Sequence, residues 1–241
     1  MKTIIIIQAR MGSSRLPGKI LKPLGNSVVL DYVVRRCQQV KGVHDVIVAT
    51  TTLEKDDAVE AWCESRGVNC FRGSEEDVLS RYYECAKLYN PDFVIRVTAD
   101  CPFVDYDMAS AVVKVMKKQP ADYVKIVGDL PRGLTVEMFS FSALTYIHTH
   151  GKKPYHREHV TYYAYENQEE FDVTTYEAPI SLQHPELRIT LDTEEDYVLC
   201  QTIAEAFPNE PLVSSQDVVQ FLLENPDIAN INAHIKQKPV N

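Results

Sequence analysis

The sequence predicts an α/β fold in which a mainly parallel sheet carries helices on both faces. Three observations point there. Residues 4–7 are four consecutive isoleucines, the unbroken apolar run of a strand covered on both sides. Short β-branched runs then alternate with segments of helical period as far as residue 127. A basic loop rich in Gly and Ser follows the first apolar run, and open parallel sheets bind ligands at the carboxyl ends of their strands.

Each element has its own signal. Thr3–Gln8 is the first strand. Leu30, Val33, Val34 and Cys37 are spaced i, i+3, i+4, i+7 and predict a helix over 28–39. Val46–Thr51 is the next strand. A helix over 57–66 ends at Gly67, the residue type that closes helices in the left-handed conformation. The lone Trp62 is expected on its inward stripe with Ala58 and Ala61. A short strand near Cys70 precedes a helix over 77–89 whose inward residues are Leu79, Tyr82, Tyr83 and Ala86. Phe93–Thr98, a helix over 107–117 and Tyr123–Val127 continue the alternation.

Beyond Gly128 the pattern breaks. Segment 129–180 is richer in Tyr, His and Thr and mixes short strands with helices near 142–150 and 156–166. It reads as a lobe inserted into a single domain of residues 1–241. Leu187–Leu191 returns as a strand, and helices near 195–206 and 215–224 follow, with a short one after Pro226.

The composition is that of a folded globular protein, with 45% hydrophobic and 24% charged residues. A net charge of −9 argues against a broad nucleic-acid-binding face. No stretch approaches the ~18 apolar residues of a membrane span, and Ile4–Ile7 is too short for a secretory signal. The six cysteines form no C-x-x-C pair and read as reduced thiols. A cytoplasmic location is the expectation.

The loop Ala9–Lys19 is the strongest chemical signal. Gly12, Ser13 and Ser14 allow backbone N–H groups to approach an anion, and Arg10, Arg15 and Lys19 add three fixed positive charges. A polyphosphate is the natural guest. The spacing matches neither a Walker A loop nor a G-x-G-x-x-G fingerprint; a plain surface turn is the alternative. Lys19, as a loop lysine, is expected to be exposed and to matter little for stability.

Asp100 and Asp192 each stand just past a predicted strand. Together they could share one Mg²⁺, which favours a few carboxylates plus phosphate oxygens. Asp192 before Thr-Glu-Glu is also a good helix N-cap, and Asp100 suits an Asx turn. Arg72, Gly73 and Ser74 follow a short strand where backbone groups could read a base edge, or simply open a helix. Arg132 and Glu137 lie on a Pro-Arg-Gly turn and strand that could face a substrate. The run at 155–163 fits no zinc motif. A helix there would present His156, Arg157 and His159 to a carboxylate or a partner subunit.

The motifs "QARMGSSRLPGKIL", "RVTADCPFVD", "REHVT" and "RITLDTEEDY" resemble the cytidylyltransferases that activate sugar acids, the 3-deoxy-manno-octulosonate and acylneuraminate enzymes. They resemble most the relatives of spore-coat polysaccharide biosynthesis. The resemblance implies a GT-A-like three-layer α-β-α fold of the nucleotide-diphospho-sugar transferase type. It implies CTP as donor, a sugar acid as acceptor and Mg²⁺ as cofactor. By the same resemblance Arg15, Lys19 and Asp100 are the catalytic candidates, with Ala9, Arg10, Gly12 and Ser13 in the nucleotide cradle and Asp100 and Asp192 on the metal. Segment 129–175 matches the family's sugar pocket and dimer contact, implying a homodimer. Arg72-Gly73 stands where the acylneuraminate branch carries Arg-Pro, so base recognition departs from that branch.

Two other classes stand beside this one. A glycosyltransferase on this scaffold usually shows D-x-D, whereas the chain reads Asp100-Cys101-Pro102; a sugar-1-phosphate nucleotidyltransferase is its companion alternative. A non-catalytic sensing module would be expected to have lost Lys19, Asp100 or Asp192.

Overall fold

The computed structural model describes residues 1–208 and 210–236. In chain order the elements are β1 Thr3–Gln8, β2 Pro23–Leu24, β3 Ser27–Val28, α1 Val29–Gln38, β4 Asp45–Thr51, α2 Asp57–Arg66, β5 Asn69–Gly73, α3 Val78–Tyr89, β6 Phe93–Thr98, α4 Tyr106–Lys118, β7 Tyr123–Val127, β8 Glu137–Ser140, α5 Phe141–His150, α6 Pro154–Glu158, α7 Tyr162–Glu166, β9 Val173–Glu177, α8 Glu194–Ala206, α9 Ser215–Glu224 and α10 Pro226–Ala229.

Seven strands form one sheet in the order β5-β4-β1-β6-β8-β7-β9. All pairings are parallel except those of β8, which runs antiparallel between β6 and β7. The remaining two strands make a small hairpin.

β1 explains the layering. Ile4 to Ile7 are all 0% exposed, because alternate side chains of a central strand feed opposite cores. Ile5 and Ile7 pack with Leu30, Val33 and Cys37 of α1, Val59 of α2 and Val112 and Met116 of α4. Ile4 and Ile6 pack with Leu79 and Tyr82 of α3 and Leu144 and Ile147 of α5. Full burial of each isoleucine contributes about 1.5–3 kcal/mol. A third core joins α8 and α9 to Leu187, Ile189 and Leu191. The three-layer α/β expectation therefore holds.

Several boundaries and one strand differ from the sequence expectation. Leu187–Leu191 belongs to no strand; it makes an isolated bridge between Arg132 and Arg188. Its alternate N–H groups go to loops instead: Ile189 to the Arg132 carbonyl and Leu191 to the Asp100 carbonyl, both at 2.8 Å. Gly133 permits this contact. Its φ is +103°, and a Cβ there would stand 2.5 Å from the Ile189 oxygen.

The expected helix 156–166 is split into α6 and α7, and Val160 between them has φ +28°. Val160 is buried in the same core as Ala164, and that packing holds the unusual backbone. On α2 the inward residues are Val59 and Cys63. Ala58 and Ala61 are exposed, while Trp62 is half-buried and packs on the core margin. On α3 Cys85 takes the inner place expected for Tyr83, and Tyr83 stacks on His148 at 4.2 Å. The six cysteines are all free thiols. Among the described residues no helix is long and apolar enough to cross a membrane.

Candidate functional site

The loop after β1 is folded around one carbonyl. Met11 O accepts from both Ser13 N and Gly18 N at 3.0 Å. Leu16 N donates to Ser13 Oγ at 3.2 Å. Asp56, which is 0% exposed, anchors the loop from outside by accepting from Met11 N at 2.6 Å and from the Thr51 hydroxyl. Gly18 adopts φ +70° and opens a 3-10 turn over Lys19–Leu21. That turn drives Lys19 inward.

Lys19 is not the exposed loop residue its neighbourhood suggests; it is only 8% exposed. Its Nζ donates to Asp100 Oδ2 at 2.9 Å, Asp192 Oδ1 at 2.9 Å and the Leu191 carbonyl at 2.8 Å, which uses all three ammonium hydrogens. Burial works against this charge, but Asp100 and Asp192 outweigh it and hold the Lys19 pKa above its ordinary value. Burial likewise opposes ionisation of Asp100, and Lys19 reverses it, so Asp100 titrates below the usual carboxylate range.

Asp192 gathers two further cations. Arg15 Nη2 lies 3.0 Å from its Oδ2, and Arg188 Nη2 lies 3.1 Å from the same oxygen. Asp192 is not the helix cap: Thr193 caps α8, in a reciprocal box with Asp196. Asp196, 0% exposed, takes Arg188 Nε and Nη2 at 2.9 Å each. It also accepts from Asp192 N and Thr193 N and from Asn232 Nδ2 at 2.7 Å. The segment that presents Asp192 is thus held by one buried carboxylate.

The base-side candidates separate. Arg72 turns away onto α2: it pairs with Asp57 and Glu60 at 2.6 Å and donates to the Thr51 and Leu53 carbonyls. Gly73 lies against the Arg81 side chain, and Ser74 O accepts from Arg81 Nη1. Arg81 is 1% exposed, and among the described residues its Nε and Nη2 have no hydrogen-bond partner. Arg10 stands beside Glu75 at 3.8 Å, and Lys55 meets the same carboxylate at 2.7 Å.

The five candidates around residues 129–175 do not share one face. Glu137 sits opposite Arg96 across the β6–β8 pair. It ion-pairs with that guanidinium and accepts from Thr161 Oγ1 at 2.8 Å and Tyr165 OH at 2.6 Å. His159 is close enough to feel Arg96 and Glu137; burial, first, and Arg96 hold its pKa below the ordinary value. His156 instead is buried against Glu166, with Nε2 at 2.6 Å. Arg132 is exposed.

Arg157 points to the start of α3, where it pairs with Asp77, the N-cap that accepts from Ser80 N. Burial raises the Asp77 pKa, but Arg157 and Ser80 outweigh it and hold it below its ordinary value. The charged form is therefore favoured by folding. Its contribution is present above the unfolded pKa of ~3.9 and is lost as pH falls through the lower folded value. Asp77→Asn is expected to lower the melting temperature by a constant amount between pH 5 and 7, with the gap closing below about pH 4. A gap that widens in acid, measured by thermal denaturation, would contradict this.

Asp56, Arg96, Arg188 and Asp196 escaped the sequence reading. Only the Thr193-x-x-Asp196 spacing carried a local signal, that of a capping box. Among the described residues no group of three His, Cys, Asp or Glu side chains is placed to hold a metal ion. Asp100 and Asp192 remain as a pair of hard oxygen donors. Both reach a single nitrogen at 2.9 Å, so they also fit a divalent cation completed by phosphate oxygens and water.

A family model described as cytidylyltransferase matches residues 4–229. The chain is 36% identical over 231 residues to the spore coat polysaccharide biosynthesis protein SpsF of Bacillus subtilis, covering 94% of this chain and 96% of that one. It is similar in structure to a cytidylyltransferase from Leptospira borgpetersenii, with a TM-score of 0.89, 32% identity and coverage of 99% and 100%. It is also 33% identical over 128 residues to 3-deoxy-manno-octulosonate cytidylyltransferase 2 of Hydrogenovibrio crunogenus, spanning 51% of this chain and 49% of that one.

Proposed function

The chain belongs to the cytidylyltransferase family, and from that premise we propose that it transfers a cytidylyl group from CTP to a hydroxyl of a sugar acid, releasing pyrophosphate. The observation that carries the reading is the convergence of Arg15 and Lys19 with Asp100 and Asp192 at one point of the sheet edge. Cations able to grip phosphate oxygens and carboxylates able to hold a divalent cation meet there, as nucleotidyl transfer requires.

The roles follow from the chemistry. Arg15 offers a planar fork for two phosphate oxygens, and Lys19 a compact charge on a flexible stem. Both would stabilise the charge that gathers on the departing pyrophosphate. Asp100 and Asp192 would hold Mg²⁺, which when bound would offset charge on the reacting phosphate. Asp56 keeps the loop of Arg10, Gly12 and Ser13 closed beneath the nucleotide. Arg81 carries unpaired N–H groups beside Gly73 and Ser74, so it takes over the base-side part that Arg72 has given to α2. On the acceptor side we place Arg96, Glu137, His159, Thr161 and Tyr165, with His159 neutral at pH 7. The reading includes a homodimer formed through residues 129–175 and action in the cytoplasm. Similarity to SpsF supports a product destined for surface polysaccharide, and similarity to the octulosonate enzyme supports an acidic sugar.

The test is pyrophosphate release from CTP in the presence of 3-deoxy-manno-octulosonate or N-acetylneuraminate, with and without Mg²⁺, repeated with UTP, ATP and GTP. Release is expected with CTP, sugar acid and Mg²⁺ together. Equal release from all four nucleotides, or release that ignores the sugar acid, would overturn the reading.

A further inference from the structure

Lys19 and a divalent cation compete for the same two carboxylates. The ammonium lies 2.9 Å from Asp100 Oδ2 and 2.9 Å from Asp192 Oδ1, a distance and position from which a bridging metal would have to displace it. The surroundings make that displacement costly. Arg15 and Arg188 both sit on Asp192 Oδ2, so three cations already face this carboxylate. Arg188 is balanced by Asp196, which leaves Arg15 and Lys19 set against Asp100 and Asp192. The four charges cancel, and a bare divalent ion would add two more positive charges without any anion to offset them.

The two kinds of cation also differ in freedom. Arg188 is 8% exposed and is clamped through Nε and Nη2 onto Asp196, so it stays where it is. Lys19 is held through Nζ alone, by its three hydrogen bonds, on a flexible four-carbon stem, so a stronger anionic partner can draw the ammonium away while its backbone remains in place. Among the described residues Arg15 is held at this point by one ion pair, and its side chain is 29% exposed. A triphosphate carries about four negative charges and offers both groups a better partner.

We propose that Lys19 is an internal counter-ion that closes the Asp100–Asp192 pair to free divalent cations and releases it only when a triphosphate draws the ammonium away, so that metal and nucleotide enter together. The inference rests on the nucleotide-binding reading above, but its decisive arm uses no nucleotide. Because each ligand supplies the charge the other lacks, their affinities rise by the same factor, as linkage demands.

The experiment is a titration of the nucleotide-free protein with Mn²⁺, followed by the electron-paramagnetic-resonance signal of the free ion. Wild type is expected to bind Mn²⁺ weakly at this site. Lys19→Met keeps most of the apolar stem and removes the ammonium; it is expected to bind Mn²⁺ at least tenfold tighter. Adding Asp192→Asn to Lys19→Met is expected to abolish the gain, which assigns it to this pair. Circular dichroism and the melting temperature identify a variant that has not folded, and Lys19→Gln then replaces Lys19→Met as the test. Tight Mn²⁺ binding by wild type alone at this site, or no gain in a folded Lys19 variant, would overturn the proposal. Calorimetry of CTP with and without Mg²⁺ on wild type stands apart. Failure to bind CTP there would sink the nucleotide reading, while the Mn²⁺ arms would still decide the role of Lys19.

Discussion

Lys19→Ala is expected to lower the rate of pyrophosphate release at saturating CTP by about 10²–10³-fold, the loss that follows removal of one preorganised donor from a developing negative charge. The same change is expected to weaken the fold. Lys19 is only 8% exposed, and its removal leaves Asp100 and Asp192 facing each other without the ammonium that both contact. Breaking a buried pair by deleting one partner costs about 3–5 kcal/mol. Arg15 and Arg188 remain on Asp192, and the Asp100 side chain is 26% exposed, so the cost here falls to about 2–3 kcal/mol. For a chain of this size that lowers the melting temperature by roughly 5–10 °C. Single-turnover rates and a thermal melt measure the two effects separately. A melting temperature unchanged from wild type would show that the three hydrogen bonds of Lys19 do not stabilise the native state.

Asp196→Ala is expected to be the more damaging change to stability. This carboxylate is fully buried and receives hydrogen bonds from Arg188 Nε and Nη2, the Asp192 and Thr193 amides and Asn232 Nδ2. Deleting it removes the carboxylate that balances a buried guanidinium and leaves two amides at the start of α8 without that acceptor, at a cost of about 3–5 kcal/mol. Activity should fall as well. Arg188 would lose its clamp, and the backbone that aims Asp192 would lose its anchor. Asp196→Asn retains an acceptor for the amides and is expected to recover much of the stability but less of the activity. Urea denaturation read alongside CTP-dependent turnover distinguishes these effects. Equal recovery of both would reduce Asp196 to a helix cap.

The contrast between these two residues shows how much of the site could be read from the chain. Lys19 was legible because it sits in a dense local pattern of Gly, Ser, Arg and Pro beside a buried strand. Its environment was not legible. Its partners lie 81 and 173 positions away, and a loop position says nothing about which way a turn will drive the side chain. Asp196 offered only the weak signal of a capping box, while the network that gives it importance joins residues 188, 192 and 232. The run at 155–163 misled for a related reason. Its spacing suggested one helical face, but His156 and Arg157 are consecutive on α6, about 100° apart around its axis, and His159 is already the cap that ends that helix, so the three meet different neighbours.

The sequence by itself determined the layered α/β fold and the placing of most strands and helices, and it singled out Lys19, Asp100 and Asp192, which the fold brings into contact. Those depend on local quantities: the period of apolar residues, the chemistry of turns, and the clustering of charge at strand ends. Only the tertiary structure decided that Arg72 serves α2, that Leu187–Leu191 lies on loops rather than in the sheet, and that one ammonium bridges both carboxylates. These are outcomes of packing between segments far apart in the chain, where the winning partner of a polar group is set by burial and distance rather than by its neighbours in sequence.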